Sequence, residues 1–121
     1  MPELTSSPEP SPQLQPPKAT AMNIEAILNQ YAKGERSFQK VNLQEVDLHN
    51  AHLRGINFNQ ADLRQARLGR TDLSRASFRE ADLSEAILWG TDLNEADLYR
   101  AILREADLSG AQLRYAILER S

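Results

Sequence analysis

The groups in this 121-residue chain that could do chemistry are two histidines, many carboxylates and a scatter of serines. His49 and His52 are the only imidazoles. A serviceable zinc site takes three or four ligands in a fixed shell, and no third nitrogen or sulfur ligand joins this pair. Cysteine is absent, which removes thiolate metal ligands, disulfides and thiol catalysis together. Aspartate, glutamate and serine recur along the chain, as at Asp62, Asp82 and Asp107. An acid–base pair or an activated hydroxyl needs such groups held at fixed separation in a pocket shielded from water. The element that carries them therefore decides whether they react or merely face solvent.

That element is a repeat. From Val41 to Arg120 the sequence recurs every five residues, and a fixed short period points to a solenoid or array. The central position runs through sixteen pentads without a gap, from Leu43, Leu48, Leu53 and Phe58 to Leu113 and Leu118. Two residues earlier the side chain is small or β-branched, alanine at eleven of the sixteen and otherwise Val41, Val46, Ile56, Thr71 or Thr91. Aspartate or asparagine is commonest between them.

Abundant Ala, Leu, Glu and Arg suggest a long helix, but the spacing forbids one. At about 100° per residue, five residues advance roughly 140° past a full turn, which scatters the leucines around the cylinder. In an extended chain the leucine and the small residue share a side while the residue between them points away. The remaining two residues turn a corner. Each pentad is then one side of a coil, with two residues inside and three facing water. A longer period of twenty appears in Phe38, Phe58 and Phe78, in Thr71 and Thr91, and in Gly90 and Gly110. Four sides per turn stack like on like, with the phenylalanines in an inner pile and the threonine hydroxyls positioned to meet. About four coils result. So regular a rod offers no long loop and no obvious pocket, and the chain reads as non-catalytic, with no cofactor and no metal.

Two other segments precede the repeat. Residues 1 to 21 hold all six prolines with Ser6, Ser7, Ser11, Gln13 and Gln15, the composition of a disordered tail or linker. Residues 22 to 35 read as a short capping helix. Ile24, Ile27, Leu28 and Tyr31 line one helical face that can cover the first coil. Asn23 can cap the first turn, Met22 and Ile27 can form a hydrophobic staple, and Gly34 stands where a left-handed residue ends a helix. Residues 36 to 121 form the coil domain. Neither a basic, apolar leader nor an apolar run of about 20 residues is present, which points to a soluble cytoplasmic protein without membrane attachment. The formal charge of −3 disfavours direct nucleic-acid binding.

The motif seen at Ala61-Asp62-Leu63, Ala81-Asp82-Leu83 and Ala106-Asp107-Leu108 resembles that of the pentapeptide-repeat family. The resemblance implies an all-β solenoid, a right-handed quadrilateral parallel β-helix, without catalysis; the handedness comes from the resemblance alone. The stretches from Glu80 to Gly90 and from Leu98 to Leu108, with the helix Asn23-Ile24-Glu25-Ala26-Ile27-Leu28 before Lys33-Gly34 and Phe38, are similar to cyanobacterial members that influence heterocyst differentiation. Those members are linked to a transcription regulator and to an inhibitory peptide acting on it. The resemblance thus implies a regulatory protein as partner. Those members also carry more coils than this chain.

Candidate binding residues follow from where the five-residue rule breaks outward. Ile87, Ile102 and Ile117 stand where aspartate or asparagine is usual, and Trp89, Tyr99 and Tyr115 stand at outward corners. Aromatic residues are enriched at binding hot spots. The rival reading is DNA mimicry, as an inhibitor of a topoisomerase such as gyrase. The most acidic side, around Leu43, Leu63, Leu83 and Leu103, sets Glu45, Asp62, Asp82, Glu85 and Glu105 against Arg64 and Arg104, a net −3. Duplex DNA carries about eleven charges over the roughly 19 Å that four coils span. A purely architectural coil is the third reading. After Leu118 only three residues follow, so the rim around Leu103, Leu108, Leu113 and Leu118 is open to edge pairing. Two chains meet there end to end, or the chain is a shorter version of a longer rod.

Overall fold

The computed structural model describes residues 23–121. The Pro/Ser-rich segment 1–21 and the staple residue Met22 lie outside the described residues. Helix α1 spans Ile24–Ala32. Asn23 is extended, and its side chain accepts the Ala26 N–H at 2.8 Å, which satisfies one of the orphan donors of the first turn. Gly34 follows at φ 101°, a backbone region that favours glycine. Ile27 is fully buried in the core, with Ile24 and Tyr31 packed against it. Leu28 departs from the expected covering face and is exposed. A stripe at 3.6-residue spacing is wider than the end of a narrow coil can cover, so one edge of it stays in solvent. The Tyr31 hydroxyl donates at 2.6 Å to the Arg54 carbonyl, tying α1 to the first coil.

Beyond α1 the chain coils with a repeat of twenty residues. Asn42, Asp62, Asp82 and Ile102 bridge in parallel along the first side, and Asp47, Arg67, Ile87 and Asp107 along the second. His52, Asp72, Asp92 and Gln112 bridge along the third, and Ser37, Asn57, Ser77, Asp97 and Ile117 along the fourth. Each coil binds the next by paired main-chain bonds, as where Leu63 donates to the Asp82 carbonyl at 2.8 Å and Asp82 donates back to Ala61 at 3.0 Å. The sides remain single bridges because every corner ends the extended run. The fifth residue of each pentad has positive φ, including fourteen that are not glycine, such as Arg70 at 56° and Glu85 at 59°. Left-handed backbone costs an L-residue roughly 1 kcal/mol. The cost is offset because the same corner closes a turn, Val46 N–H to Leu43 C=O, and delivers the Glu45 N–H to the Arg64 carbonyl of the next coil.

The aspartates and asparagines between the two inward residues have a structural role. At nine pentads, from Asn42 and Asp47 to Asp97 and Asp107, the side-chain oxygen accepts the backbone N–H two residues on, at 2.9–3.3 Å. This Asx geometry pre-forms the corner. Inside, Phe38, Phe58 and Phe78 stack with centroids 6.3 and 5.8 Å apart, flanked by leucines from Leu43 to Leu98 and alanines from Ala61 to Ala101 with essentially no exposure. The threonine hydroxyls do not meet. Thr71 donates to the Leu48 carbonyl and Thr91 to the Leu68 carbonyl, both at 2.8 Å, because a buried hydroxyl gains more from a free carbonyl lone pair than from a second hydroxyl competing for the same role.

Candidate partner-docking surface

The six outward apolar residues lie on all four sides. Ile87 and Trp89 share the second side, Tyr99 and Ile117 the fourth, while Ile102 lies on the first and Tyr115 on the third. Trp89 (42% exposed), Ile102 (43%), Ile117 (46%) and Tyr115 (80%) are open to solvent. Ile87 and Tyr99 are half-buried. The coil brings Ile87 and Trp89 into one continuous feature. They line a shallow groove of about 350 Å³ with Asp47, His49, Asn50, Arg67, Gly69 and Arg70.

The groove is built by the twenty-residue register. Trp89 stands one coil above Gly69, and a Cβ at Gly69 would meet the indole Cε2 and Nε1 at 3.1 Å. That glycine provides space; its φ is not in the left-handed region. The indole lies down in the space and the Arg70 guanidinium stacks over it at 4.8 Å, a cation–π contact worth about 0.5–1 kcal/mol at an exposed site. Asx bonding is interrupted on this side, where Arg67 and Ile87 replace the usual acid. Among the described residues the Trp89 N–H has no acceptor. Tyr99 is enclosed in a similar way, with Arg79 over its ring at 4.8 Å and Arg100 at 5.9 Å. These arginine partners were not legible as site residues. The signal that could have found Arg70 and Arg79 is their place nineteen and twenty positions before Trp89 and Tyr99.

His49 and His52 lie on adjacent sides. His49 Nδ1 is 2.6 Å from Asp47 Oδ1, and this contact holds the Asp47 carboxyl below the usual carboxylate range. Arg64 does the same for Asp62, its guanidinium bonding both carboxylate oxygens at 2.9 and 2.8 Å. The Ser109 hydroxyl lowers Asp107. These carboxylates are held ionised at the surface, where a general acid needs the opposite shift. Among the described residues no group of three or more His, Asp or Glu stands close enough to hold a metal ion. No described helix is long and apolar enough to cross a membrane.

A parallel solenoid with four five-residue sides per turn, sealed inside and varied only outside, defines a class of repeat protein whose chemistry lies in its surfaces. Residues 42–79 and 76–114 match the family model for pentapeptide repeats, and the chain belongs to that family, whose members fold as right-handed quadrilateral β-helices. It is similar to HetL, a pentapeptide repeat protein involved in heterocyst differentiation regulation in the cyanobacterium Nostoc sp. strain PCC 7120. The two are 64% identical, with a TM-score of 0.73, over 74% of this chain and 38% of that one. A pentapeptide repeat protein from the cyanobacterium Cyanothece 51142 is 27% identical, with a TM-score of 0.66, over 67% of this chain and 55% of the other. One more from Nostoc PCC 7120 is 33% identical, with a TM-score of 0.52, over 78% of each chain. No curated protein matches the chain. The comparisons indicate no enzyme family.

Proposed function

We propose that the chain is a non-enzymatic cytoplasmic rod that docks a regulatory protein of a cyanobacterium and acts by occupying its surface. About four coils form the rigid part, residues 36–121, and residues 22–35 cap the first of them through Ile27. The observation that carries the reading is the groove at Ile87 and Trp89. There the Asx rule kept at Asp47 and Asp107 on the same side is broken toward solvent by an apolar residue, and a glycine is spent to seat an indole. The likeness to HetL supports heterocyst differentiation as the process. A net charge of −3 on the most acidic side, against about eleven for DNA of equal length, argues against topoisomerase mimicry.

Raised expression of the chain in Nostoc should alter the spacing of heterocysts along the filament. Trp89→Ala at equal abundance should leave the spacing as in untransformed cells, since a central aromatic anchor is worth about 2 kcal/mol or more, roughly 30-fold in affinity. An unaltered effect of the variant would remove Trp89 from the docking surface.

For the 121-residue chain in isolation, we further propose that the final rim pairs with a second copy. Leu103, Leu108 and Leu113 are half-buried and Leu118 is 43% exposed. Their N–H groups have no partner among the described residues, whereas the same groups one coil earlier, such as those of Leu83 and Leu88, donate upward. Sedimentation equilibrium should show a dimer that dissociates on dilution. A monomer at every concentration counts against the pairing.

A further inference from the structure

Three arginines stack within 5 Å of an aromatic ring, and they differ in what their donors meet. Arg36 over Tyr31 bonds the Tyr31 and Glu35 carbonyls. Arg79 over Tyr99 pairs with Asp97 at 3.5 Å. Arg70 over Trp89 has neither a carboxylate within ion-pair distance nor a hydrogen-bond acceptor among the described residues. A guanidinium held over a ring by the cation–π attraction keeps its five N–H donors available to other partners. Arg70 is therefore placed beside the indole with its fork unused, and a guanidinium with free donors commonly takes a carboxylate in bidentate fashion.

The adjoining groove limits what carries that carboxylate. Its lining includes Ile87, Gly69 and the indole edge, which suits an apolar side chain next to the acid. Asp47, the acid in the groove lining, is engaged by His49 at 2.6 Å and makes no ion pair with Arg70. Glu45 and Glu85 lie across the corner beside Arg67. They repel a broadly anionic ligand from that flank, which disfavours a nucleic-acid strand carrying a charge at every residue.

We infer that Arg70 and Trp89 form a receptor for one carboxylate on an extended peptide segment of a partner protein, an Asp or Glu whose apolar neighbour lies over Ile87 and Gly69. This rests on the docking reading above and names its chemistry.

Trp89 is the single tryptophan of the chain, so its fluorescence reports on the receptor directly. The probe is the blocked peptide acetyl-Ala-Asp-Leu-Asp-Leu-Ala-amide, titrated into the full chain beside versions with Asn or Lys in place of Asp, and beside a short oligothymidylate. The acidic peptide should give a saturable change, the Asn and Lys peptides should bind at least tenfold more weakly, and Arg70→Gln should weaken the acidic peptide roughly tenfold. Arg104→Gln, on another side, should leave it unaltered, and far-UV circular dichroism should match for all three proteins. Equal binding of the Asn peptide, tighter binding of the oligothymidylate, or indifference to Arg70→Gln overturns the assignment. If Trp89→Ala abolishes the heterocyst effect while Arg70→Gln preserves it, docking at Trp89 stands and the carboxylate receptor falls. If neither variant alters that effect, docking falls and the titration still judges the receptor alone.

Discussion

Phe58→Ala is expected to lower the stability of the rod by about 3–5 kcal/mol, a large part of the roughly 5–15 kcal/mol that holds a domain folded. Phe58 is fully buried and packs between Phe38 and Phe78 at 6.3 and 5.8 Å. Removing its ring leaves a void lined on two sides by aromatic rings. The surrounding coils cannot collapse into that void, because each is fixed at the strand spacing by bonds such as Phe58 N–H to Ser77 C=O and Asn57 N–H to Arg36 C=O, at 2.8 and 2.7 Å. Rigid walls are the condition under which a cavity retains its full cost. Phe38→Ala should cost less, since Phe38 has one phenylalanine neighbour and lies in the first coil. Urea unfolding followed by circular dichroism and by Trp89 fluorescence measures both. In a solenoid each repeat touches only its neighbours, so the probe at Trp89 should lag the loss of signal from the first coils in the Phe38 variant. Equal midpoints for Phe58→Ala and the parent chain would show that the aromatic pile is not close-packed.

The interior was legible in the sequence because it obeys two periods at once. Five residues fixed which side chains point inward, and the recurrence of Phe38, Phe58 and Phe78 at twenty fixed which of them stack. Both periods depend on backbone geometry alone. The exterior was less legible for a physical reason. Whether an outward ring stands free or is covered depends on the rotamer of a long side chain one coil away, and no local pattern states that rotamer. Tyr99 looked open from its own pentad, yet Arg79 and Arg100 enclose it. Trp89 read as an outward corner residue on the same side as Ile87, and Gly69 and Arg70 make it part of a groove. Leu28 fitted the apolar face of α1, yet the end of the coil is too narrow to reach it. Asp and Asn between the inward residues looked like plain solvent-facing positions, whereas they cap the corner N–H groups.

That last role sharpens the meaning of the exceptions. An isoleucine at the Asx position gives up a hydrogen bond and exposes apolar surface, two local costs with no gain inside the rod. Breaks of this kind in an otherwise consistent sequence are expected at functional positions. Ile87 is the break that also adjoins an exposed indole and an open guanidinium, which is why the second side, rather than the more isolated Ile102 or Ile117, carries the docking proposal.

Exchanging two adjacent residues, Ala81→Asp together with Asp82→Ala, should be among the most damaging changes available at constant composition and net charge. Ala81 is fully buried, while Asp82 is half-exposed and accepts the Ser84 N–H at 3.0 Å and the Ser84 hydroxyl at 2.7 Å. The exchange turns a carboxylate into the alanine column between Ala61 and Ala101 and removes the cap from the corner. A buried charge without a partner costs about 3–5 kcal/mol, and the lost cap adds about 1 kcal/mol. The short side chain cannot reach water from this position, because the coils above and below close over it. Burial raises the pKa of the new carboxyl above its unfolded value. The unfolded chain then releases that proton more readily than the folded one, so stability declines as pH rises through the acidic range and the penalty is largest at neutral pH. The exchanged protein should therefore unfold at markedly lower urea than the parent at pH 7 and recover part of the difference near pH 4. A deficit independent of pH would mean that the new carboxyl had found solvent, and with it that the alternation of inward and outward residues is looser than the coil requires.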